Sequence, residues 1–132
     1  MAQIVIPRGE LATAHLGSNF TSSNSAFTDV PGMSITVTSG TRALNIVVSI
    51  LVQNNTAGVQ NEVALLEDGV IIGGAINSAA GAVSWFPVTF ITRRNPAAGS
   101  HVYKIQVKVD NTSTLIVYGG SSFTADMSAI EV

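Results

Sequence analysis

The groups in this 132-residue sequence that could move protons are eight carboxylates: Glu10, Asp29, Glu62, Glu67, Asp68, Asp110, Asp126 and Glu131. A glycoside-cleaving pair needs two of them about 5–10 Å apart across a cleft. Glu62 and Glu67 are separated by an odd spacing, which sends them to opposite faces of one strand. Glu67 and Asp68 flank an Asp-Gly turn and Asp110 falls in another turn, positions where carboxylates shape the backbone or meet water. His15 and His101 lie in distant segments, and without cysteine a metal site would have to use both plus a carboxylate. His101 reads more simply as the start of a strand beside Gly99-Ser100. There is no Gly-x-Ser-x-Gly elbow and no glycine-rich phosphate loop leading into a helix. The expectation is a protein with no catalytic residues, no metal and no cofactor.

Binding chemistry is the next possibility. Trp85, Tyr103 and Tyr118 could stack on sugar rings, which makes a carbohydrate-binding module the rival to a purely structural role. Aromatics are only 6% of the chain, and Trp85 with Phe90 suits a core or an inter-subunit face better. Asn19-Phe-Thr21, Asn54-Asn-Thr56 and Asn111-Thr-Ser113 match the glycosylation pattern but read as loop residues in a chain rich in Asn, Ser and Thr. The segments Ser18 to Ser25, Asn54 to Gln60 and Arg93 to Ser100 lack strand pattern. They offer Asn19, Asn55, Arg93 and Arg94 as surface-binding residues whose replacement should leave folding intact. Net charge is −2 and Arg93-Arg94 is the sole basic cluster, which argues against nucleic acid as a partner. No apolar run reaches membrane-spanning length, and the N-terminus lacks the pattern of a secretory signal. Synthesis in the cytoplasm without membrane insertion is expected.

These residues must be positioned by strands. In Ala43 to Gln53 the even positions Leu44, Ile46, Val48, Ile50 and Val52 form an unbroken apolar row at the period of a β-strand. The odd positions mix polar Asn45 and Ser49 with apolar Val47 and Leu51, so the second face is expected to be partly covered. Met33 to Thr38 and His101 to Val109 alternate in the same way, and Asp68-Gly69 is a two-residue hairpin signal. Further strands are expected at Leu11 to Leu16, Ala26 to Val30, Asn61 to Glu67, Val70 to Ile76, Val83 to Thr92, Leu115 to Tyr118 and Phe123 to Val132. Gln3 to Ile6 is a short β-prone start, Pro31-Gly32 reads as a turn, and Pro87 puts its strand at an edge or bulge. About ten strands at spacings near the roughly 8–12 residues of sandwiches predict an all-β, antiparallel β-sandwich of jelly-roll type. Residues 1–10 read as an N-terminal arm or short strand, and 11–132 as a single domain. Charged residues are 11% of the chain, against about 25% in ordinary soluble domains. Small polar residues or another subunit must cover the rest of the surface.

Three stretches carry a resemblance: Phe27-Thr-Asp-Val-Pro-Gly-Met-Ser-Ile-Thr-Val37, Ala98-Gly-Ser-His-Val-Tyr-Lys-Ile-Gln-Val107, and the ending Met127-Ser-Ala-Ile-Glu-Val132. Together, over most of the chain from Leu11 onward, they resemble the small jelly-roll head domains of bacteriophage virion and tail-fibre proteins. The resemblance implies a tumour-necrosis-factor-like homotrimer on the virion surface. There it would serve as a decoration protein, fibre tip or needle tip, with other virion proteins and a host-surface glycan or protein as partners. Such heads often sit on a fibrous stalk, and no stalk pattern is present in this sequence. Apolar residues on both faces of two strands make Val47, Leu51, Met127 and Ala129 the expected trimer interface. Glu131 shares a face with the last two and should need a basic partner, for which Arg42 is a candidate. Far-ultraviolet circular dichroism should show β-structure almost alone; helix above about a quarter of the chain would overturn the sandwich.

Overall fold

The structure is a computed structural model that describes residues 10–40, 42–56, 60–78, 84–109, 113–120 and 125–132. The described residues form ten strands: β1 (Glu10–His15), β2 (Phe20–Ser22), β3 (Thr28–Ser39), β4 (Leu44–Asn54), β5 (Gln60–Glu67), β6 (Val70–Ser78), β7 (Ser84–Arg94), β8 (Gly99–Val109), β9 (Leu115–Val117) and β10 (Asp126–Glu131). One sheet holds six of them in the order β1-β10-β4-β9-β2, with β7 on the other side of β4; the second runs β3-β8-β5-β6. Every pairing is antiparallel. Successive strands repeatedly cross from one sheet to the other, which makes this a jelly-roll sandwich.

The strand β4 organises the larger sheet. β7 pairs with it along its whole length, while β10 takes its first half and β9 its end. Its even row, Leu44, Ile46, Val48, Ile50 and Val52, is at most 2% exposed. Facing it from the second sheet are Met33, Ile35 and Val37 of β3, Val63 and Leu65 of β5, and Tyr103, Ile105, Val107 and Val109 of β8. Period-two alternation on both sheets delivers these rows to one shared interior.

Tertiary pairing overrides local pattern in three places. Ser18 to Ser25 contains β2, because Phe20 packs on the core and the segment pairs with β9; local hydroxyl bonding follows the strand, where Ser22 Oγ accepts from the Asn24 N–H at 3.2 Å. Pro31-Gly32 is not a turn: it sits in a bulge of β3, where the chain from Asp29 to Ser34 lies opposite only Gln106 to Lys104. Gly32 makes this possible with φ +86, a conformation costly for other residues. Arg93, Arg94, Gly99 and Ser100 belong to β7 and β8, so the connecting loop is only 95–98. The closing strand begins at Asp126, while Phe123, like Gln3 to Ile6 and Asp110-Asn111, lies outside the described residues. Pro87 does fall on an edge strand, where a missing N–H breaks no ladder.

Asp68-Gly69 closes the β5–β6 hairpin with positive φ at both residues, 49 and 84 degrees, the mark of a type I′ turn. Five residues on, Gly74 brings its backbone so close to β5 that an added Cβ would lie 2.2 Å from the Val63 carbonyl oxygen. Gly74→Ala should therefore cost about 3 kcal/mol, read as a fall of roughly 10 °C in the thermal unfolding midpoint.

Candidate functional site

The outward face of the larger sheet carries several exposed apolar residues. From β7 it presents Trp85, Pro87, Thr89, Ile91 and Arg93, of which Ile91 is 63% and Trp85 46% exposed. The register sets Val47 beside Ile91 and Leu51 beside Pro87, and on the other flank sets Asn45 beside Ile130. Apolar pairs thus lie on either side of a polar middle row, in which Asp126 stands beside Ser49 and the hydroxyls of Ser49 and Thr89 bond each other. At one end of the face Trp85 and Tyr118 stack at 4.3 Å with rings nearly parallel, and the Tyr118 hydroxyl bonds Gln53 Oε1. Gln53 is buried in consequence. Leu11 of β1 adds a further exposed apolar residue.

Of the expected interface residues, Val47 and Leu51 do lie half-buried on this face. Met127 and Ala129 do not. Both are 0% exposed within the single chain, part of the interior that faces the second sheet, so they have no surface left for a sister subunit. The outward residues of β10 are Asp126, Ser128 and Ile130. Glu131 accepts a 2.9 Å bond from Arg42, the basic partner anticipated for it.

The loop candidates are engaged in holding the chain together. Asn19 Oδ1 accepts from the Gly119 N–H at 3.0 Å, and Asn55 Oδ1 accepts from the Thr114 N–H at 2.9 Å. Asn54 is 0% exposed and donates to Asn61 Oδ1 and Ser113 Oγ, tying β4, β5 and the approach to β9. Arg93 is exposed on the outward face opposite Asn45. Arg94, one residue on, turns inward and forks onto Glu67 of the other sheet, Nε to Oε2 at 3.0 Å and Nη2 to Oε1 at 2.7 Å. Glu67 Oε2 also accepts from the hydroxyl of Tyr103, whose ring is fully buried. Arg94 is therefore a tie between sheets and not a free binding group. With Tyr103 inside, the three-aromatic sugar platform is not formed.

The remaining carboxylates follow the alternation. Glu62 points outward to Lys108 at 2.8 Å while Glu67 points in, and Asp29 accepts from Gln106 and Lys104, which hold its carboxyl below the usual range. His15 meets Asp126 and His101 meets Asp68, both through Nδ1. Nothing in the pattern of the sequence brought these pairs together; only the pairing of β1 with β10, and the seating of the hairpin against β8, does so. On the second sheet an open groove of about 530 Å³ runs beside β6, lined by Phe27, Ala64, Ile71, Ala75 and Ile76 over Gly73-Gly74.

The sequence matches no protein-family model and no curated protein. Among solved structures, dimeric latent PorU from Porphyromonas gingivalis aligns over 99% of this chain at 14% identity and a TM-score of 0.50. The infectious bursal disease virus Gx strain aligns over 91% at 11% identity and TM-score 0.49, and the VP2 subviral particle of that virus over 91% at 11% and 0.46. This chain spans 13% of the PorU chain, 38% of the Gx-strain chain and 36% of the VP2 chain. At such identities the likeness is one of fold.

The Arg94 tie has a measurable signature. The Arg94 guanidinium holds the Glu67 carboxyl below its ordinary value of 4.5. A depressed carboxylate contributes stability above that value and loses it as pH falls through the folded pKa. Arg94→Ala should cost about 2 kcal/mol at neutral pH. The gap from wild type should close as acid protonates Glu67, as followed by urea unfolding at several pH values.

Proposed function

We propose that this chain is a non-enzymatic structural domain that assembles with copies of itself through the outward face of its six-stranded sheet. The observation that carries the reading is the set of Ile91, Trp85 and Ile130, exposed at 63%, 46% and 36%, on the same face as Val47 and Leu51. A sheet face that meets water is ordinarily polar, as the Lys104, Gln106 and Lys108 row of β8 is. Exposed apolar residues gathered on one sheet face mark an interface, and cyclic symmetry closes it without a residual sticky edge. The number three, and the setting on a bacteriophage particle as a decoration protein, fibre tip or needle tip, come from the resemblance of the strand-and-turn motifs. Host attachment would then belong to the loops at the ends of the sandwich.

The absence of charge supports the same reading. A chain with 11% charged residues has few groups to keep that face solvated. Ile130 of β10 and Ile91 of β7 flank β4 from its two sides, so a partner laid on this face would cover both at once.

Light scattering at micromolar concentration should give three times the 13.6 kDa chain mass. Ile91→Asp and Leu51→Asp should each yield a folded monomer, because both residues point away from the chain's own core. A wild type of monomer mass would overturn the assembly. It would leave the carbohydrate-binding reading, with Trp85 as the residue to test by glycan array.

A further inference from the structure

His101 occupies an arrangement that only one protonation state satisfies. Its Nδ1 lies 2.6 Å from Asp68 Oδ2 and its Nε2 lies 2.6 Å from the Ala97 carbonyl oxygen. Both partners are acceptors, so both ring nitrogens must donate. A neutral imidazole has one N–H and would set a lone pair against one of these oxygens; the imidazolium donates to both. Asp68 does not supply the missing proton. Its Oδ1 already accepts the Val102 N–H at 2.9 Å, and this bond, followed by the one from His101, holds its carboxyl below the ordinary range.

We propose that His101 is a proton-operated clasp, which in its imidazolium form locks the Asp68-Gly69 hairpin to the β7–β8 loop and on losing the proton lets the hairpin loosen. The ring is the joint between three pieces of chain: the hairpin tip, residues 95–98 and the start of β8. The charged and titratable groups around it are Asp68 at the tip, Glu67 of β5 with its partner Arg94 of β7, and Tyr103 two residues along β8. The two carboxylates favour the cation, and Arg94 is neutralised by its fork onto Glu67. The bond to Asp68, then the one to the Ala97 carbonyl, raises the His101 pKa above its ordinary 6.5. A group whose pKa is raised on folding stabilises fully below its unfolded value and ceases to do so as pH climbs through the folded one. The clasp is therefore shut in acid below the ordinary histidine value of 6.5 and opens as pH climbs through the raised pKa of the ring.

The hairpin carries the start of edge strand β6, where Val70 is 65% and Ile71 53% exposed. Proton binding at His101 thus sets how rigidly this apolar edge is presented. The inference stands on one chain and is independent of the assembly reading. His15 repeats the geometry on the other sheet, with Asp126 at 2.5 Å and the Gly120 carbonyl at 3.0 Å, so the test has to be specific to His101.

Nitrogen NMR of the full-length chain labelled at histidine reads the clasp directly. Both His101 ring nitrogens should be protonated at pH 6.5 and titrate above it. Over pH 6 to 9 the protection factor of the Asp68 amide, which bonds the Val102 carbonyl at 2.8 Å, should fall several-fold as the ring deprotonates. His101→Gln should make that protection independent of pH. Asp68→Asn, which keeps an oxygen for the Val102 N–H and tolerates positive φ, should lower the His101 pKa towards or below 6.5. A wild-type His101 titrating at or below 6.5, or a fall in protection that persists in His101→Gln, would overturn the proposal.

Discussion

The structure depends on burying one face of β4 against the second sheet. With no cysteine and few charges, the chain has neither covalent staples nor an extensive ion-pair network to fall back on. Five alternate side chains of one strand, Leu44 to Val52, reach the interior, and the strands on either side of β4 take their register from it. Burial of such a row contributes roughly 1.5–3 kcal/mol per large aliphatic side chain, before conformational entropy is subtracted. No single polar contact in the molecule approaches that sum.

Polar groups instead finish the ends of the sandwich, where the apolar rows stop. At one end Arg94 reaches across from β7 to Glu67, and the Tyr103 hydroxyl shares the same carboxylate. Elsewhere Asn54, Asn61 and Ser113 form a buried cluster in which the Asn54 amide serves both neighbours. Among the described residues, no buried side-chain nitrogen or oxygen is left without a partner. These ties fix how one sheet sits on the other, because an apolar interface alone is non-directional.

The outward faces of the two sheets differ along their inner strands, although edge strand β6 of the smaller sheet also exposes Val70, Ile71 and Ile76. The β8 row on the smaller sheet is solvated by Lys104, Gln106 and Lys108, which pair with Asp29 and Glu62. The outward face of the larger sheet keeps exposed apolar residues and a stacked Trp85–Tyr118 pair. That apolar set is a property of the assembled sheet, since β7 contributes Trp85, Pro87 and Ile91, β4 contributes Val47 and Leu51, and β10 contributes Ile130.

The sequence by itself determined every element whose two faces differ in polarity. The β4 row, the β8 alternation, the Asp68-Gly69 hairpin and the opposite directions of Glu62 and Glu67 were all legible, because a period of two and a positive-φ turn are local properties. Where a strand is apolar on both faces, periodicity separates two rows but does not say which is inside. Met127 and Ala129 were therefore placed on the surface, and the packing of β10 beside β4 put them in the core. Arg94 looked like a loop cation until β7 extended past Thr92 and aimed it at the other sheet. The tertiary structure alone decided these, along with the histidine–aspartate contacts of segments far apart in the chain. The physical reason is the same in each case: which partner a side chain meets depends on strand register and on how one sheet is seated over the other, and neither is encoded in any short window of residues.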